Sequence, residues 1–179
     1  MSKEFKKLEN FIYACGAARI ILRRAHDEGF LIEGIVLYAS LIDAFLRIAI
    51  VLKRQIRFRS SNIDYSLISQ DNEERKHYSE REIFKMALKE KIINEELYNE
   101  LNLLYNKRNS IIHKFFLTNI KYSDLPKDLI HYETIYHMLW KIVYNLENEQ
   151  IEKGVGMTTG DDGETDESSI RKKASEKII

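Results

Sequence analysis

Residues 30–52 read FLIEGIVLYASLIDAFLRIAIVL, and no other stretch restricts the fold as strongly. Wound as a helix, this segment is apolar nearly all the way round, so a single neighbour cannot cover it. Two surroundings would: a bilayer, which a run of this length is about long enough to cross, or the middle of a helical bundle. Glu33, Asp43 and Arg47 decide between them, because charges at these positions are costly in hydrocarbon. The expectation is a soluble bundle with no membrane span, in which this helix is central or shared with another subunit.

The rest of the chain follows the same period. One proline and seven glycines, four of them after residue 150, leave long stretches without helix breakers, and apolar residues recur close to every 3.6 positions. The fold class is all-α. Helices are expected over about 4–27, 31–54, 80–90, 95–117 and 126–149, four long and one short, packed as a bundle with antiparallel neighbours. Gly29 in HDEGF can take the left-handed conformation that closes the first helix. Ser79 and Glu82 have capping-box spacing at the start of the third, and Asn94 can cap the fourth. Residues 55–78 lose the periodicity and read as a long loop with at most a short turn, while YSDLPKD separates the last two helices. One domain, 1–150, is expected, followed by a tail, 151–179, with too few apolar anchors to fold unaided.

Lysine plus arginine and aspartate plus glutamate both number 28, which excludes a strongly basic nucleic-acid binder and an acidic solvating protein. The tail carries five basic and seven acidic residues, so residues 1–150 are slightly positive. Cys15 is the only cysteine, so no intrachain disulfide or cysteine-based zinc cluster can form, and a reducing, cytoplasmic setting is the natural expectation. The opening MSKEFKKLENF mixes acids with its lysines and precedes no apolar run with a cleavage site, so no secretory signal is expected.

The chemistry concentrates in LLYNKRNSIIHKFF, residues 103–116, where Arg108, Asn109 and His113 interrupt an apolar-periodic segment. Arg108 and His113 are five residues apart, about 140° around a helix, and flank a face without sharing a line. Asn109 and His113 are i and i+4, so the amide can orient the imidazole. Imidazole titrates near neutrality and can take a proton from a ribose 2′-hydroxyl, while guanidinium binds anionic phosphate oxygens through paired hydrogen bonds. The blander alternative is a satisfied polar network that holds helices or subunits together without turnover.

This segment resembles the signature helix of HEPN domains, small all-α bundles bearing R-x4–6-H, often with asparagine after the arginine. The preceding IVLYASLIDAFLRIAIVL resembles their long second helix, and the helix order is similar over roughly residues 4–149. Active members are metal-independent RNases, typically homodimers whose motifs face each other across the subunit seam. The resemblance implies that His113 is the acid/base group, Arg108 the phosphate and transition-state stabiliser, and Asn109 a positioning residue. It implies an RNA substrate, products with 2′,3′-cyclic phosphate and 5′-hydroxyl ends, no cofactor, and an antitoxin or defence-system partner protein. A symmetric dimer would supply the two histidines that a base and an acid require. One departure concerns regulation: toxins silenced by a companion nucleotidyltransferase commonly carry tyrosine two residues after the histidine, and Phe115 stands there. The alternative from another class is a non-catalytic HEPN-like helical adaptor.

Further candidates are weaker. Asp43 and Arg47 are i and i+4 and read first as a buried charge pair, with orientation of Arg108 or His113 by Asp43 as the sharper alternative. In KRQIRFR, residues 53–59, the cations Lys53, Arg54, Arg57 and Arg59 beside Phe58 could follow an RNA backbone while a base stacks on the ring, with Lys114 as a further contact. Lys53 and Arg54 are explained almost as well by the helix dipole. Glu133 and His137 share a helical face but lack further ligands nearby, so no metal site is expected.

Overall fold

The computed structural model of the chain describes residues 3–69, 78–156 and 176. Five α-helices account for most of them: α1 (Lys3–Asp27), α2 (Leu31–Phe58), α3 (Glu80–Lys89), α4 (Glu95–Lys114) and α5 (Leu125–Lys153), with 3-10 turns at Phe115–Leu117 and Tyr122–Asp124. No strand occurs among the described residues. Ser79 and Glu82 form the capping box at the start of α3, Asn94 Oδ1 accepts from the Leu97 N–H, and Gly29 and Gly154 take left-handed conformations after α1 and α5.

Three boundaries differ from the sequence expectation. α2 runs a further turn, to Phe58, so Arg57 and Phe58 lie on the helix and not in a loop; buried Ile56 and Gln55 carry it there. α5 continues past residue 150 to Lys153, because Gln150 is buried beneath Leu52 and Gln55, and this moves the start of the tail. α4 ends at Lys114, with its expected last residues forming the 3-10 turn. Residues 70–77 of the expected loop, and 157–175 and 177–179 of the expected tail, lie outside the described residues.

α2 sits at the centre. Leu41, Leu46, Ile50 and Leu52 are essentially inaccessible, and α1, α3, α4 and α5 all touch the helix. By length and composition α2 could span a membrane, yet 67% of its most apolar window is buried inside the bundle. α5 makes the largest contact with it, and the two run in the same direction. Gly34 lies against Leu129, Phe45 stacks on Tyr136 at 5.2 Å, and Gln150 Nε2 donates to Gln55 Oε1 at 2.7 Å. An added Cβ on Gly34 would lie 2.9 Å from Leu129 Cδ1, so the small residue permits the close approach. α3 also runs parallel to α2, because Arg54 near the end of α2 bonds Glu90 at the end of α3. The pairs α1–α2, α3–α4 and α4–α5 are antiparallel, so the arrangement of antiparallel neighbours holds for these and not for α2–α3 or α2–α5.

Because α2 is covered on all sides, truncating it should be felt throughout. Leu46→Ala, at a site with 0% exposure, is expected to destabilise the fold by about 2–5 kcal/mol, read as a lowered urea midpoint at unchanged m-value.

Candidate functional site

Arg108 lies on the inner flank of α4, facing α3. Its Nη1 and Nη2 donate to Glu80 Oε1 and Oε2 at 2.6 and 2.7 Å, a two-pronged pairing that fixes the guanidinium plane. Nη2 and Nε also donate to Asn109 Oδ1 at 3.0 and 3.3 Å, and the guanidinium carbon lies 5.0 Å from the centre of the Tyr105 ring. Burial works to lower the Arg108 pKa, but the hydrogen bonds and charge of Glu80 outweigh it and leave the group above its ordinary value. Arg81 lies 4.7 Å from the same ring and donates to Asn106 Oδ1 at 2.6 Å, so Tyr105 contacts two guanidinium groups.

His113 goes the other way. Its side chain is exposed and makes no hydrogen bond or ion pair among the described residues. The helical pitch accounts for this: the buried positions Leu97, Leu101, Leu104 and Ile111 define the inner face of α4, and His113 falls nearly opposite them. Asn109 hydrogen-bonds Arg108 and not the imidazole. Within one chain, therefore, the guanidinium and imidazole do not converge. Beside His113 an apolar patch is exposed, with Ile112 exposed, Phe116 96% exposed and Leu117 84%, while Asn109, Ser110 and Lys114 make up the polar remainder of its surroundings.

Asp43 and Arg47 form a second cluster on α2. Arg47 Nε donates to Asp43 Oδ2 at 2.6 Å, while Nη1 and Nη2 donate to the carbonyls of Leu67 and Tyr78 at 2.8 and 2.9 Å. The arginine thus ties the chain on either side of residues 70–77 to the central helix. Asp43 Oδ1 is buried without a hydrogen-bond partner, and burial pushes the carboxyl up against the opposing pull of Arg47. The charges of Glu80 and Arg108 act on Asp43, but its hydrogen bond goes to Arg47 and not to Arg108 or His113.

The basic set at the end of α2 is elsewhere. Arg54 is committed to Glu90 and Asp64 at 2.8 and 2.9 Å. Lys53 is half-buried, Arg57, Phe58 and Arg59 are exposed, and Arg57 lies over the Phe58 ring at 5.3 Å. α4 runs against α2, and Arg108 is level with the Asp43 region, so His113 and the neighbouring exposed Lys114 stand about 30 Å along the bundle from Phe58. His137 Nε2 is 3.8 Å from Glu133 Oε1, and no group of three or more metal-ligating side chains gathers among the described residues.

Sequence reasoning did not single out Glu80. It stands beside the capping serine in SERE, where a first-turn acid is expected for dipole reasons, and only the packing of α3 on α4 reveals its second role. Because Glu80 is partly buried and dedicated to Arg108, Arg108→Ala is expected to cost about 1–3 kcal/mol by urea unfolding. In a cycle with Glu80→Gln the two losses should be clearly non-additive. His113→Ala should stay within about 0.5 kcal/mol of the parent. No family model matches this chain, and neither a curated protein nor a solved structure matches it.

Proposed function

We infer that the protein is a metal-independent endoribonuclease of HEPN type, working as a homodimer in the cytoplasm within a toxin–antitoxin or phage-defence system. The observation that carries this reading is the placement of His113: an unpartnered imidazole on the outer face of α4, bordered by exposed Ile112, Phe116 and Leu117. An imidazole with exposed apolar side chains on one flank suits a seam where a second copy brings its own imidazole, so that one acts as base and the other as acid. In this scheme one His113 accepts the 2′-hydroxyl proton, the 2′-oxygen attacks phosphorus, and the other His113 protonates the leaving 5′-oxygen. The phosphate charge is assigned to Arg108 by the resemblance alone, since its plane is set by Glu80 and Asn109 on the α3 side and does not face the His113 of its own chain.

The second reading is a non-catalytic helical adaptor, and one observation favours it: Arg108 already spends both terminal nitrogens on Glu80. It predicts no cleavage of any RNA, with Arg108→Ala weakening capture of a protein partner instead.

His113→Ala is the cleaner test, because Arg108→Ala also removes a packing contact. The purified protein should cleave RNA in EDTA to 2′,3′-cyclic phosphate and 5′-hydroxyl ends. His113→Ala should slow this about 10²–10⁴-fold at unchanged helix content. Equal rates for parent and variant, or loss of cleavage in EDTA, would refute the nuclease reading.

A further inference from the structure

α3 presents Arg81, Lys85 and Lys89 at i, i+4 and i+8, and all three are exposed. Lys85 and Lys89 take part in no ion pair among the described residues, and Arg81 bonds only the neutral amide of Asn106 and the Tyr105 ring. Three like charges spaced about 6 Å apart along one helix repel one another, and no ion pair among the described residues neutralises them. Across the antiparallel junction, α4 answers with Asn102, Asn106 and Asn109, at i, i+4 and i+7. The contacts Arg81–Asn106 and Arg108–Glu80 set the two rows side by side. His113 is i+11 in the same row, so the asparagine ridge leads to the imidazole. From Leu101 to Ser123 the chain has no acidic residue. Of the nearby acids, Glu80 is occupied by Arg108, Glu82 by the Ser79 cap and Glu90 by Arg54, while exposed Glu95 and Glu96 at the start of α4 bound the row at its Lys89 end.

We propose that the α3–α4 groove is a track for single-stranded RNA, with Arg81, Lys85 and Lys89 following the phosphates and the asparagine ridge facing the bases, and that it delivers the strand to Arg108 and His113. This deepens the nuclease reading and rests on it for the identity of the strand. Cations one helical turn apart fit a run of successive phosphates, and side-chain amides supply both donors and acceptors to base edges. Asn102 Nδ2 and the Oδ1 atoms of Asn106 and Asn109 are engaged within the protein, which leaves the Asn102 carbonyl and the other two amide N–H groups for a ligand. Base edges are free to meet the asparagine ridge in a single strand, whereas an A-form duplex hides them in a deep, narrow major groove. The basic set at the end of α2 lies beyond the Lys89 end, since Arg54 contacts Glu90.

The test measures binding without cleavage, in the His113→Ala background, using a fluorescent single-stranded RNA of mixed sequence and the matching duplex. Lys85→Ala/Lys89→Ala should weaken single-strand binding roughly tenfold at low salt. It should also flatten the slope of log K against log salt by about 1.4, at ~0.7 per lost phosphate contact. Arg23→Ala/Arg24→Ala, which removes exposed charges from α1, should leave both unchanged. The proposal is overturned if the α3 variant binds with parental affinity and salt slope, if the α1 variant loses as much, or if duplex binds as tightly as single strand. Because no cleavage is read, binding that behaves as expected in a protein whose parent cuts no RNA would sink the nuclease reading and leave the track standing.

Discussion

A helix that is apolar around its whole circumference has to be enclosed, and the architecture follows from enclosing α2. No pair of helices could do it. α1 and α5 cover it over much of its length, and the shorter α3 together with α4 closes the remaining side. That division of labour explains why α5, which is not a neighbour of α2 in sequence, lies parallel to it. The antiparallel positions beside α2 are taken by α1 and α4, and the turn at 118–124 sends α5 back along the free flank.

Much of this was legible before any coordinates. The 3.6-residue period located all five helices, and local signals placed their starts: the Ser79–Glu82 box, Asn94, and Gly29 after α1. The misread ends of α2 and α5 share one cause. Gln55 and Gln150 look like surface residues in a pattern of apolar and polar letters, yet they bury themselves against each other and extend α2 and α5 by about a turn. Pairing of two polar groups distant in sequence is a tertiary event, and no local period reports it. The direction of packing between α2 and α5 was hidden for the same reason.

The candidate site divides along similar lines. The 140° offset between Arg108 and His113 is pure helix geometry and was available from their spacing. What the spacing could not supply is which of the two faces inward. Leu104 and Ile111 settle that by turning Arg108 toward α3, where Glu80 meets it, and turning His113 toward solvent. The result separates rigidity from exposure: the guanidinium is held from three directions, and the imidazole is held only by its own backbone. Arg47 shows the opposite economy on α2, since each of its three nitrogens is spent, one on a carboxylate and two on distant carbonyls, which makes it a strut between segments.

The Gln55–Gln150 pair has a consequence for how the two longest helices are aligned. A slide of one helical turn would exchange similar aliphatic surfaces along much of α2 and α5, and among the apolar contacts Gly34–Leu129 and Phe45–Tyr136 would resist it. The amides would not tolerate it: Gln150 would lose Gln55 and the Leu52 carbonyl, Gln55 would lose Gln150 as well, and the stranded groups would sit in a dry interior. The pair thus works as an index mark at the far end of the two helices, contributing little to cohesion but fixing the same alignment that Gly34 and Leu129 set at the near end.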